Sequence, residues 1–141
     1  MRRPAQAVRS PWQIQGSTEA LDTPEKVADR VRDLRPLRKE HVVALYLNAR
    51  NQELLRETVS IGTLTASLIH PREVYYSAIR RCACSVVLVH NHPSGDPSPS
   101  REDREVSARL VRAGELLGIP LLDHVIVATG GYFSLRQHGL L

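Results

Sequence analysis

Two short runs with almost no polar residue constrain this chain most: Val42-Val43-Ala44-Leu45-Tyr46-Leu47, and Ser85 to Val89. Each is too short for a typical helix. Successive side chains of a strand point to opposite faces, so a run that is apolar at every position predicts a strand covered on both sides. The chain is therefore expected to build a sheet flanked by helices.

The remaining elements fit that plan. Thr23 can cap a helix with Pro24 at its first position, and Val27, Val31 and Leu34 recur at helical spacing, with an end near Pro36. A polar turn at Asn48 to Asn51 leads from the first run to a second strand, Glu53 to Ile61, as a hairpin, and Gly62 marks a turn or bulge. Pro71 opens a helix through about Arg81, with Val74, Ala78, Ile79 and Cys82 near one face. Ser100 to Leu117 reads as an amphipathic helix with Val106, Leu110, Ala113 and Leu117 inward, stopped by Gly118 and Pro120. Two last strands, Leu121 to Ala128 and Tyr132 to Leu135, join at Gly130-Gly131. The whole reads as one α/β domain over residues 21–141.

With 141 residues and 42% hydrophobic content, one core and one site are the expectation. The formal charge of +4 is concentrated: residues 1–18 carry Arg2, Arg3 and Arg9 and no acid. With Pro4, Pro11, Gly16 and no sustained period, residues 1–20 are expected to form a flexible basic leader, and Trp12 can dock on the domain. Such a tail is either simply solvated or able to touch nucleic acid or an anionic surface. No apolar run approaches the ~18 residues a membrane span needs, and Arg2-Arg3 has no apolar stretch behind it to make an export signal. Cys82 and Cys84 are too close for an ordinary structural disulfide and have no second pair to complete a cysteine zinc site, so a reducing, cytoplasmic setting is expected. As small apolar residues near a helix end they need no further role.

The chemistry concentrates in residues 90–105, HNHPSGDPSPSREDRE. His90 and His92 lie two apart where a buried strand gives way to a Pro/Gly loop, so both imidazoles can point the same way and share an ion. Asp103 falls in the first turn of the next helix, three and seven residues before Val106 and Leu110, which starts its carboxylate on the inward side. A capping arrangement, Ser100-x-x-Asp103, accounts for the acid equally well but not for the two histidines. Two imidazoles and a carboxylate suit zinc with a fourth position open, the catalytic arrangement, although other divalent ions remain open. A base would come from outside the segment. Glu40, just before the first buried run, is either that base or an ordinary exposed acid beside Lys39.

The segments Glu40 to Leu47, Pro71 to Val74, His90 to Asp96, Pro99 to Asp103 and Asp123-His124 together resemble the RadC family, a branch of the JAB/MPN metalloenzymes. The resemblance covers about residues 22–141, and His-x-His, seven residues, then Ser-x-x-Asp is its specific signature. It implies a cytidine-deaminase-like mixed sheet flanked by helices. It also implies that His90, His92 and Asp103 are zinc ligands, that Glu40 is the acid that activates water, and that Ser100 helps stabilise the oxyanion. Ser100 as both cap and oxyanion partner is expected to involve a compromise over its one proton. His124 is either a support for a ligand histidine or, with Asp123, an ordinary structural pair.

Relatives with this motif cleave peptide or isopeptide bonds, so a zinc metallopeptidase acting on a peptide or protein is the implied function. A DNA-repair-associated accessory domain, with DNA or repair proteins as partners and weak or no hydrolysis, is the alternative. Members of the family often carry an N-terminal helix-hairpin-helix module, for which 141 residues leave no room. A non-catalytic interaction module is a third reading, against which an open metal position argues. The sequence says nothing about oligomeric state.

Overall fold

The computed structural model describes residues 19–62 and 69–141; the basic leader with Trp12 lies outside the described residues up to Glu19. Its elements are α1 (Pro24–Arg30) with a 3-10 turn (Arg32–Leu34), β1 (His41–Leu47), β2 (Glu53–Ile61), α2 (Pro71–Arg80), β3 (Ser85–Asn91), α3 (Arg101–Leu117), β4 (Leu121–Ala128) and β5 (Gly131–Ser134). The sheet runs in the order β2-β1-β3-β4-β5. β1 is antiparallel to both neighbours, β3 and β4 are parallel, and β4 and β5 are antiparallel, so the sheet is mixed.

The uniform apolar runs arise because both faces are covered. Val42, Ala44, Tyr46, Val86 and Leu88 pack with Val74, Tyr75 and Ala78 of α2 and Val106 and Leu110 of α3. Their odd-numbered neighbours Val43, Leu45, Leu47, Val87 and Val89 pack with Val27 and Ala28 of α1 and with Val31 and Leu34 just beyond it. Full burial of each Val or Leu contributes roughly 1.5–3 kcal/mol. The alternation also decides which way the polar residues at the end of β3 point. His90, like Leu88, faces α2 and α3; Asn91, like Val89, faces α1.

Caps fall where the sequence places them. Thr23 Oγ1 accepts from Lys26 N at 3.3 Å, and Ser100 caps α3. Three expectations need correction. The first helix stops at Arg30 rather than near Pro36, and the chain continues as the 3-10 turn that still buries Leu34. On α2, Val74, Tyr75 and Ala78 form the buried face, while Ile79, well round the helix from Val74, is 55% exposed. Cys82 lies beyond the helix with a left-handed backbone, φ 49, and Cys82 and Cys84 are exposed and free. On α3, Leu117 is 47% exposed, because Gly118 turns the chain back in a left-handed cap and Ile119 takes the core position instead. Among the described residues no helix is long and apolar enough to cross a membrane. Ala20, the last residue of the expected leader, forms a bridge to Gln52, and Leu21 is buried.

Candidate metal centre

The parallel β3–β4 pair requires a crossover, and α3 supplies it. The end of β3 and the first turn of α3 therefore meet. Asp103 places one carboxylate oxygen 3.2 Å from His90 Nε2 and the other 3.2 Å from His92 Nε2. One ligand-capable atom from each of the three residues lies within 4.8 Å of the others. His90 and Asp103 are buried, whereas the His92 side chain is 12% exposed, so the cluster opens to solvent on the His92 side.

Hydrogen bonds to the far sides of the rings decide what the two Nε2 atoms can do. His92 Nδ1 lies 2.9 Å from the Asp96 carbonyl, which can only accept, so Nδ1 carries the proton and Nε2 of the neutral ring is a lone pair. His90 Nδ1 lies 2.8 Å from His124 Nε2, and His90 Nε2 is buried without a hydrogen-bond partner among the described residues. At 3.2 Å it is close to Asp103 but not aligned to bond with it. Two imidazole nitrogens and a carboxylate thus converge where a cation would relieve their mutual repulsion. That donor set fits zinc with three protein ligands.

The electrostatics agree. Burial alone would raise the Asp103 pKa, but the His90 and His92 imidazoles 3.2 Å from its oxygens and the Ser100 amide hold it far below the usual carboxylate range. The first turn of α3 adds the positive end of the helix dipole. Burial pulls the His92 pKa down, yet the Asp103 hydrogen bond, the Asp96 carbonyl and the charges of Asp103 and Glu40 leave it raised. His124 is fully buried, and desolvation lowers its pKa to about 3, so it is neutral at ordinary pH.

Strand register sets where Glu40 lies. β1 and β3 pair Val42 with His90, and continuing that register by two residues sets Glu40 opposite His92. Glu40 is half-buried, and its charge acts on His92. The Gly62 amide donates to the Glu40 carbonyl at 2.8 Å. Asn91 fixes the residues on both sides: its side-chain oxygen accepts from His41 N at 2.6 Å, and its amide donates to the carbonyls of Lys39 at 3.0 Å and Leu37 at 3.3 Å.

Ser100 is exposed at the rim. Its Oγ accepts from Asp103 N at 3.1 Å, while Ser100 N donates to Asp103 Oδ2 at 2.7 Å. The expected conflict over its proton is thereby removed: capping uses the oxygen as acceptor and leaves the O–H free to donate. Capping and convergence are likewise compatible at Asp103, whose carboxylate accepts from Ser100 while facing both histidines. His124 and Asp123 separate in role. His124 touches His90, whereas Asp123 Oδ2 accepts from Ser134 at 2.5 Å and Oδ1 from Arg136 N at 3.0 Å, holding the turn after β5.

Sequence reasoning passed over Asn91 and Ser107. The signal for Asn91 was a buried polar residue inside His-x-His, aimed at the opposite face. For Ser107 it was a hydroxyl one helical turn after Asp103, on the inward side: Ser107 Oγ lies 2.6 Å from His124 Nδ1 and donates to the Asp103 carbonyl at 2.9 Å. The loop after His92 is docked by Gly130, whose amide donates to the Gly95 carbonyl; a Cβ at Gly130 would come within 2.6 Å of that oxygen. A cavity of about 670 Å³, lined by Leu21, Val87, Asp123 and Arg136 among others, lies on the α1 face and contains none of the cluster.

A family model described as the RadC-like JAB domain matches residues 21–140. A UPF0758 protein of Desulforamulus reducens is 56% identical over 119 residues, covering 84% of this chain and 52% of its own length. A UPF0758 protein of Symbiobacterium thermophilum is 61% identical over 102 residues, 72% and 44%. A third, from Caldanaerobacter subterraneus subsp. tengcongensis, is 51% identical over 126 residues, 89% and 54%. The chain spans about half the length of the curated relatives it matches.

Proposed function

This chain belongs to the RadC-like JAB domain family, and from that membership and the geometry of its site we propose that it is a zinc-dependent hydrolase cleaving a peptide or isopeptide bond in a protein substrate. The observation that carries the proposal is the convergence of His90 Nε2, His92 Nε2 and the Asp103 carboxylate, with Glu40 opposite His92 in the register of the two strands.

Those three side chains would hold the ion. Zinc bound there supplies Lewis acidity and lowers the pKa of water toward ~7. Glu40, across the strand pair from His92, would take a proton from water and return it to a leaving amine. The Asn91 and Gly62 hydrogen bonds hold the main chain that carries its side chain. Ser100, whose hydroxyl proton is not used in capping, would donate to the developing oxyanion. Burial of His90 and Asp103 keeps water from the inner side of the site and strengthens these interactions.

The test is metal content by mass spectrometry, followed by a peptide and isopeptide hydrolysis screen. About one zinc per wild-type chain, lost in folded His92→Ala and Asp103→Ala variants, is expected. Hydrolysis that disappears in Glu40→Gln while zinc is retained would complete the case. A wild-type chain that takes up no zinc under reducing conditions would overturn it.

A further inference from the structure

His90 is supported by two residues that touch no solvent: His124 on β4 and Ser107 on α3, at 0% and 1% exposure. Leu88 pairs with His124 across the parallel strands, which sets the His124 ring beside His90 on the same sheet face. The pieces form one chain of hydrogen bonds, and its direction follows from the single group that cannot reverse. The Asp103 carbonyl only accepts, so the Ser107 hydroxyl proton points to it over 2.9 Å. Ser107 Oγ then accepts from His124 Nδ1–H over 2.6 Å. His124 Nε2 is left as a lone pair and accepts from His90 Nδ1–H over 2.8 Å. His90 Nε2 ends the chain as a bare lone pair, consistent with its having no hydrogen-bond partner among the described residues.

We infer that His124 and Ser107 are positioning residues that lock His90 in the Nδ1–H tautomer and so present its Nε2 lone pair to a divalent cation. The inference rests on the metal-site reading. Neither residue reaches the ion. Their action is indirect, as partners that orient a ligand imidazole generally are, and loss of such partners typically weakens metal affinity about 10- to 100-fold. Without the Ser107 hydroxyl the His124 ring has no fixed tautomer. It can then present Nε2–H to His90, which places the His90 proton on Nε2, where it blocks the ligand atom. The relay also returns to the site, since it terminates on the main chain of Asp103, whose side chain faces His90.

The experiment uses the full chain, free of metal, in wild-type, Ser107→Ala and Ser107→Thr forms. Long-range nitrogen–proton spectra of ¹⁵N-labelled histidines report each tautomer, and zinc affinity is measured by competition with a chromophoric chelator. The expected result is His90 protonated at Nδ1 in the wild type, a mixed or reversed tautomer in Ser107→Ala with affinity about 10- to 100-fold weaker, and recovery of both in Ser107→Thr, which keeps the hydroxyl. If Ser107→Ala does not fold, His124→Gln against His124→Leu poses the same question, because Gln retains an acceptor facing His90 and Leu does not. Wild-type zinc binding with unchanged tautomer and affinity in the hydroxyl-free variant overturns this inference alone. His90 found protonated at Nε2 in the wild type also overturns it. A wild type that binds no zinc removes the metal-site reading and the inference with it.

Discussion

Replacing Asn91 by Leu isolates the device that holds the main chain on either side of Glu40. The residue is fully buried on the α1 face, and its side chain makes three hydrogen bonds to the segment Leu37 to His41. At about 1 kcal/mol net for each, their loss is worth roughly 3 kcal/mol. Stranding the His41 amide and the Lys39 carbonyl adds to that, while added apolar burial of Leu offsets roughly 1 kcal/mol. Destabilisation of about 2–4 kcal/mol is expected. With a urea slope near 2 kcal/mol/M for a domain of this size, the midpoint falls by roughly 1–2 M. Urea titration by circular dichroism measures it, and hydrogen exchange at the His41 amide shows whether the damage is local to that segment. Because Asn91 faces away from His90 and His92, zinc affinity should stay within about threefold, as changes without shared partners are close to additive. A midpoint shift below about 0.5 M with a protected His41 amide would refute the reasoning.

Asp103→Asn removes the one anionic donor of the cluster and turns one of its oxygens into an N–H donor, so zinc should fall from about one per chain to almost none by mass spectrometry. Zinc affinity should fall as the pH drops, because a proton on His92 occupies the ligand lone pair. Since that pKa is raised, the fall should begin above the ordinary value of 6.5 and approach about tenfold per pH unit; a midpoint at or below 6.5 in chelator competition contradicts it. Gly114→Ala should destabilise by about 1–3 kcal/mol despite a gain of about 1 kcal/mol in helix propensity, because the new Cβ would come within 2.4 Å of Tyr75 Oη and 2.5 Å of the Ile119 carbonyl. Urea unfolding checks the sign.

How much could be read beforehand differed by element. The strands of the sheet centre were legible because a two-sided core leaves no polar position in Val42 to Leu47, and the α3 boundaries because Ser100 and Gly118 carry distinct capping chemistry. The face of α2 was misjudged because Ile79, five positions from Val74, points well away from it, and Cys82 lies past the helix end with a left-handed backbone. At the site, His90, His92 and Asp103 lie close in sequence, so a strand–loop–helix reading could bring them together. Glu40, His124 and Asn91 act through strand register, and register is a property of pairing between distant segments that no local pattern contains. Ser107 was hidden because a serine on a helix reads as neutral until the strand beneath it is known.

The two histidines sit in materials of different stiffness. His90 belongs to the middle strand of the sheet, paired on both sides, whereas His92 lies past the strand end in a loop fastened by a few contacts to Asp96, Val127 and Gly130. Openings of such a loop require far less free energy than opening the central strand. Ions should therefore enter and leave by release of the His92 arm while His90 and Asp103 stay in place. Exchange can then be fast even when binding is tight, and residence time becomes adjustable through Pro93 to Pro99 without altering any ligand.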